Sequence, residues 1–321
     1  MLAVTAVAFH PDDPLAGLEV GDRPAPQAPD GWTTVTVKAA CLNHHDLWTL
    51  RGVGIKEERL PVVLGSDAAG VDADGREVIV HSVISGPGWS GDETLDPRRS
   101  LLSEVHDGTL AEQVAVPVRN LVPKPAALTF EEAACLPTAW LTAYRMLFTN
   151  SGVQPGGTIL VQGAGGGVAT ALIALGRTAG FRMWVTSRSE QKRSQALELG
   201  AHDAFESGVR LPERVDAVME TVGAATWSHS LKALKPGGTL VVSGATSGAD
   251  PSAELNRVFF LQLRVIGSTM GSREELMRLA SFCGVTGVRP VIDTVLPLIE
   301  ARAGFERMAG GDLFGKVVFT P

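Results

Sequence analysis

TILVQGAGGGVATALIALGRTAG, residues 158–180, is the stretch from which the rest of the chain is read. TILVQG is a short apolar and β-branched run, the composition of a buried strand. Glycines from Gly163 to Gly167 interrupt it, and VATALIALGRTAG then carries the spacing of a helix. A strand that turns through glycines into a helix lets the backbone come close to a pyrophosphate. The helix start adds unpaired N–H groups at the positive end of its dipole. The same string without a ligand would be a flexible turn. Its place between strand and helix favours a dinucleotide held by Gly163, Gly165, Gly166, Gly167 and Val168, with Ala169 small enough for close helix–sheet packing.

Working outward, the alternation repeats. MWVTS (183–187) reads as a strand and SEQKRSQALELG as a helix capped by Ser189; VDAVME (215–220) and ATWSHSLKAL follow in the same order. GTLVVSG (238–244) and RVIGS (264–268) are further strands. Apolar strands alternating with helices predict a parallel sheet covered on both faces, expected over residues 123–270. Residues 1–122 are β-rich, with VTVKAA (35–40) and EVIVHSV (77–83) as strands bounded by turn formers. Residues 271–321 hold two helical patterns and the closing strand KVVFT, and are expected to pack back onto the first domain. The fold class is therefore α/β: a β-rich domain plus a doubly wound parallel sheet.

The residues after the second strand of the parallel sheet bear on which dinucleotide is bound. An NAD site places Asp or Glu about twenty residues beyond the glycines to bond the ribose 2′-OH. Here the segment is Thr186-Ser187-Arg188-Ser189, with Lys192 one turn into the helix. Hydroxyls with Arg and Lys suit a 2′-phosphate, so NADPH is expected through Ser187, Arg188 and Lys192. The alternative is an ordinary solvated helix start.

Composition narrows the partners. Net charge is −7 and the basic residues are scattered, which argues against nucleic acid. The N-terminus lacks a basic start, no apolar run reaches the ~18 residues of a membrane span, and a cytoplasmic address is expected. Cys41, Cys135 and Cys283 stand apart in the sequence, unlike a disulfide framework or a clustered metal site.

Taken together, several blocks resemble the medium-chain dehydrogenase/reductase superfamily. They are LNHHDLWTLRG (42–52), PVVLGSDAAGV (61–71), DGTLAEQVAVP (107–117), LVPKPAALTFEEAACLPTAWLTAYRML (121–147), the glycine turn, LKPGGTLVVSGATSG (234–248) and FGKVVFTP (314–321). The resemblance implies a GroES-like catalytic domain with an inserted Rossmann domain, and a homodimer formed through the strand near Arg264–Ser268. It also implies cofactor contacts at Thr142, Gly244, Ala245, Thr246, Ser268 and Thr269. Lys316 would either reach a phosphate or simply lie beside the last strand.

The sequence departs from the zinc members of that superfamily at each catalytic ligand. Asn43, Ser66 and Thr138 stand where those enzymes carry Cys, His, and Cys or Asp. The cysteine-rich structural lobe is replaced by SGPGWSGDETLDPRRSLLSEV, which has no cysteine. No metal is expected. His44 and His45, as neighbours, face opposite ways on an extended segment and do not read as a ligand pair.

Without a metal, carbonyl polarisation falls to hydrogen bonds. Resemblance to quinone oxidoreductases makes Asn43 the candidate donor, against the alternative of a loop-fixing bond. His45 aligns with a proton-relay hydroxyl and, with an ordinary pKa near ~6.5, suits general acid work, against a structural role. Asp46 reads as a loop-fixing residue. The expected activity is NADPH-dependent hydride transfer to a quinone or enone. Alternatives are a carbonyl/alcohol dehydrogenase without zinc, which needs His45 as acid, and an NADPH-binding protein with little turnover.

Overall fold

The structure, a computed structural model, describes residues 1–321 and divides into two units. One comprises Met1–Leu141 with Gly271–Pro321; the other is Thr142–Met270. The first division therefore falls after Leu141, later in the chain than the sequence-based boundary at 122/123. The cause is packing. Leu121–Pro123 pairs with Glu77–Val80, and the helix Phe130–Ala134 lies against the strands Trp32–Cys41, Asp67–Asp72 and Lys316–Thr320. Those contacts hold the segment to the first unit.

The first unit is built on an antiparallel-rich sheet ordered Leu121–Pro123, Glu77–Val80, Asp67–Asp72, Trp32–Cys41, Lys316–Thr320 and Ile292–Pro297, with Gln113–Pro117 also paired to Trp32–Cys41. A smaller sheet joins Leu18–Asp22, Leu2–Ala6 and Val62–Val63. The alternation of VTVKAA places Val35, Val37, Leu64, Ala68, Val78 and Val80 in one apolar cluster with Phe305, Val317 and Phe319. Each such buried Val, Leu or Phe contributes about 1.5–3 kcal/mol against the cost of ordering the chain. The tail is part of this core: its strand Lys316–Thr320 pairs with Trp32–Cys41, Val318 opposite Cys41 and Phe319 opposite Ala40.

The second unit is a six-stranded parallel sheet ordered Asp203–Phe205, Arg182–Thr186, Thr158–Gln162, Val215–Glu220, Leu234–Val242 and Arg264–Gly267. In chain order this is 3-2-1-4-5-6, the doubly wound arrangement that places binding residues at the carboxyl ends of the strands. Val161, Met183, Val185, Ala217 and Val241 are buried in its strands, as a sheet covered on both faces requires. Two elements differ from expectation. Asp203–Phe205 is a strand that the sequence reading left unassigned, being too short to show a period. Leu234–Val242 begins earlier than residue 238.

Candidate active site

In the second unit the glycine turn follows Thr158–Gln162 directly and opens the helix Gly167–Thr178. Gly163 has φ +90°, a conformation that excludes ordinary side chains. Gly166 is the N-cap of that helix and has no side chain to satisfy its first N–H groups. A Cβ placed on Gly166 would meet nothing within 4 Å. An uncapped helix start with open space before it fits a phosphate.

Other residues expected to hold the cofactor gather at the same edge. Ser187 and Arg188 follow Arg182–Thr186; Gly244, Ala245 and Thr246 follow Leu234–Val242; Ser268 and Thr269 follow Arg264–Gly267. Ser187 is buried and its hydroxyl accepts from Ser189 N–H at 3.2 Å, while Arg188 is exposed. Lys192 lies in the first turn of the helix Glu190–Leu199, its N–H donating to the Ser189 hydroxyl at 3.3 Å. The Ser268 hydroxyl oxygen is buried without a hydrogen-bond partner, a polar group that a bound ligand would satisfy. Thr142 is buried on the short helical turn Leu141–Tyr144, between two π-helical stretches. The residues present therefore fit a dinucleotide.

The first unit holds a buried polar cluster where three strands end together. Asp67 opens Asp67–Asp72 directly opposite Cys41, and Lys316 opens the neighbouring strand. The Lys316 ammonium donates to the Leu42 carbonyl at 2.7 Å and to Asn43 Oδ1 at 2.6 Å, and lies 3.4 Å from Asp67 Oδ2. Asn43 Nδ2 donates to the same Asp67 oxygen at 2.8 Å. Asp67 is fully buried and Lys316 is 2% exposed. Burial disfavours the ammonium, but the nearby carboxylate of Asp67, helped by that of Asp46, offsets this and raises its pKa.

The structure gives two of the expected site residues partners that the sequence did not show. Lys316, offered as a phosphate contact or a neighbour of the last strand, is committed inside the first unit to Leu42, Asn43 and Asp67. Asn43, expected to offer its amide to a substrate, has Oδ1 occupied by Lys316 and one Nδ2 hydrogen given to Asp67. One N–H is left, and the cation on its carbonyl end strengthens that hydrogen as a donor. Asp46 fixes the loop: Oδ2 accepts from Asn43 N–H and Oδ1 from Gly65 N–H, both at 2.9 Å.

Zinc does not fit this donor set. Asn43, Ser66 and Thr138, which the sequence resemblance sets at the ligand positions, carry neutral oxygens where a catalytic zinc needs thiolate or imidazole. Lys316 brings a positive charge into the cluster, and no three His, Cys, Asp or Glu side chains come together to hold a metal ion. Cys41 and Cys135 lie 3.3 Å apart, sulfur to sulfur, but burial and that contact push the Cys41 thiol well above its ordinary pKa, away from the thiolate form. Cys283 is likewise buried, its thiol pushed up to about 12.

His45, in the first turn of the helix His44–Leu50, faces a residue that sequence reasoning missed. Its Nε2 is 2.8 Å from Glu104 Oε1, and its Nδ1 is 3.5 Å from the Ser103 hydroxyl. Burial works to lower the His45 pKa; the Glu104 hydrogen bond and the charges of Asp46, Glu104 and Asp67 overcome this and raise it. His44 is exposed and stands apart from this contact. Glu104 lies in the stretch that replaces the cysteine-rich lobe, and its acidity was the only signal it carried.

A β-rich unit interrupted by a parallel-sheet unit with an uncapped glycine turn is the architecture of a dehydrogenase or reductase. Family profiles agree: residues 29–126 match the alcohol dehydrogenase GroES-like domain and residues 167–284 the zinc-binding dehydrogenase domain. A zinc-type alcohol dehydrogenase-like protein YogA from Leptosphaeria maculans is 31% identical, covering 94% of this chain and 93% of its own. An acryloyl-coenzyme A reductase from Metallosphaera sedula is 27% identical, with 95% and 96% covered. The crystal structure of an NAD-dependent alcohol dehydrogenase superposes with a TM-score of 0.92 at 35% identity, covering 100% of both chains. The chain belongs to the medium-chain dehydrogenase/reductase superfamily and is an oxidoreductase of that class.

Proposed function

We propose that the protein reduces an α,β-unsaturated carbonyl or a quinone with NADPH, without a metal. The observation that carries this reading is the Lys316 ammonium, lodged 2.6 Å from Asn43 Oδ1, the residue that the sequence resemblance sets at a zinc-ligand position. A fixed cation there polarises the Asn43 amide, whose remaining N–H stabilises negative charge on a substrate oxygen. The similarity to an acryloyl-coenzyme A reductase favours a conjugated acceptor.

In this reading Gly163, Gly165, Gly166, Gly167 and Val168 hold the pyrophosphate, and Ser187, Arg188 and Lys192 the 2′-phosphate. Thr142, Gly244, Ala245, Thr246, Ser268 and Thr269 line the rest of the cofactor. NADPH, when bound, supplies the hydride. Exposed Arg188 and the absence of an acid before Glu190 favour the phosphorylated cofactor over NADH.

We also place the protein in the cytoplasm as a homodimer; no helix is long and apolar enough to cross a membrane. The free edge strand Arg264–Gly267 carries Val265 at 46% exposure, and Phe259 and Phe260 nearby are more exposed still.

A second reading is reduction of a simple carbonyl, which fits the similarity to an NAD-dependent alcohol dehydrogenase and for which the His45–Glu104 pair equally supplies an acid. One assay separates them: NADPH oxidation followed by absorbance with an enone, a quinone and an aldehyde in parallel. Turnover of enone or quinone supports the first reading. Turnover of aldehyde alone supports the second, and binding of NADPH with no turnover refutes both.

A further inference from the structure

We propose that Glu104 is the positioning residue that makes His45 the proton donor of the reduction, the two forming a built carboxylate–imidazole dyad. This rests on the reductase reading given above and names the residue that completes it.

Geometry carries the argument. The Glu104 carboxylate takes His45 Nε2 at 2.8 Å, with side chains 21% and 27% exposed, so the pair is shielded without being sealed. A carboxylate on one imidazole nitrogen fixes the ring and leaves the other nitrogen, Nδ1, to carry the transferable proton. The loop that delivers Glu104 is braced on both sides. Val105 N–H donates to Leu101 O at 3.3 Å, Ser103 N–H to His106 O at 2.8 Å, and the His106 ring lies tilted against Trp32, centroids 5.0 Å apart.

Ser103, fully buried, holds φ +65°. A serine in the left-handed region is strained, and such strain persists where surrounding structure imposes it. Here that strained residue immediately precedes Glu104 and sets its hydroxyl 3.5 Å from His45 Nδ1. Glu104 on this loop, Asp46 on the ring's own helix and Asp67 on the strand Asp67–Asp72, whose carboxylate also lies near Lys316, contribute charge at the ring. All three are acidic and favour the imidazolium.

Hydride addition forms a C–H bond at the β-carbon and moves the C=C pair through the carbonyl, leaving negative charge on oxygen. The Nδ1–H bond of His45 breaks, nitrogen keeps its pair, and the proton goes to the substrate anion. Water then returns a proton to His45, Glu104 holding Nε2–H throughout.

The test combines two measurements on the full chain. First, the imidazole of His45 is titrated by NMR in the wild type, Glu104→Gln and Glu104→Asp, with the signal assigned from His45→Gln. The His45 pKa is expected above an ordinary histidine's in the wild type, lower in Glu104→Gln, and partly restored in Glu104→Asp. Second, kcat and KM for an enone are measured across pH. Activity needs the imidazolium, so kcat falls as pH rises through the His45 pKa. Glu104→Gln should move that limb to lower pH and reduce kcat by about tenfold or more at neutral pH, with KM unchanged. Glu104→Asp should recover part of both.

Wild-type turnover with an unmoved limb, or an unmoved His45 titration in Glu104→Gln, overturns the role of Glu104 and leaves the reductase reading standing. No wild-type turnover with enone, quinone or aldehyde overturns the reductase reading, and this role with it.

Discussion

The ammonium of Lys316 and the side-chain oxygen of Asn43 are 2.6 Å apart, although 273 residues separate them in the chain. Their contact joins the N-cap of the helix His44–Leu50 to the last strand of the fold, and Asp67 closes the group from a third element. A cation thus sits inside a buried polar cluster, bonded to Leu42 O and Asn43 Oδ1 and beside Asp67. The predictions below test what that arrangement and the glycine turn do.

Lys316→Met should leave the buried Asp67 carboxylate without its cation. Removing one partner of a buried ion pair costs about 3–5 kcal/mol, so the midpoint of chemical denaturation should fall accordingly. Asp67→Asn combined with Lys316→Met removes both charges and should recover a large part of that loss.

The same pair fixes an alkaline limit to stability. A lysine in the unfolded chain titrates near ~10.4, and in the folded protein the Lys316 pKa is raised. Its contribution is fully present below the unfolded value and is lost as pH rises through the folded one. Denaturation curves should therefore show no loss from this group at neutral pH and a decline above about pH 10. That decline should be reduced in Lys316→Met.

Gly166→Asp should separate folding from binding. The position has open space for a side chain and φ −74°, so stability should change by no more than about 0.5 kcal/mol. A carboxylate there faces the pyrophosphate position. NADPH affinity, read by fluorescence titration, should weaken by about tenfold or more, the equivalent of ~1.4 kcal/mol.

Arg188→Ala should act on cofactor choice. Loss of one guanidinium from the 2′-phosphate site removes a charge-assisted hydrogen bond of about 1.5–3 kcal/mol. The kcat/KM for NADPH should fall about tenfold or more, while that for NADH stays within about twofold of its starting value.

The parallel-sheet unit was legible because its strands and helices carry strong periods and its glycine turn falls between them. Ser189 was readable as a cap, and its hydroxyl does accept from Lys192 N–H. The cluster around Lys316 was not legible in the same way. A lysine at the start of a strand reads as solvated, and only pairing of Lys316–Thr320 with Trp32–Cys41 carries it inward. Glu104 was hidden for a related reason: its partner is 59 residues earlier, and the loop between Leu101 and His106 has no period to read. Asn43 shows the limit from the other side. Its residue type suggested a donor or a loop-fixing bond, and tertiary contacts give one N–H to Asp67 and the carbonyl oxygen to Lys316.

The central claim is that Lys316 and Asn43 take the place of a metal in the reduction. The most direct measurement is NADPH oxidation by an enone before and after exhaustive dialysis against a chelator, with zinc content measured in the same samples and zinc then added back. The account predicts an unchanged rate throughout and no stoichiometric zinc. Zinc bound one per chain, with activity lost on chelation and restored on addition, would contradict it.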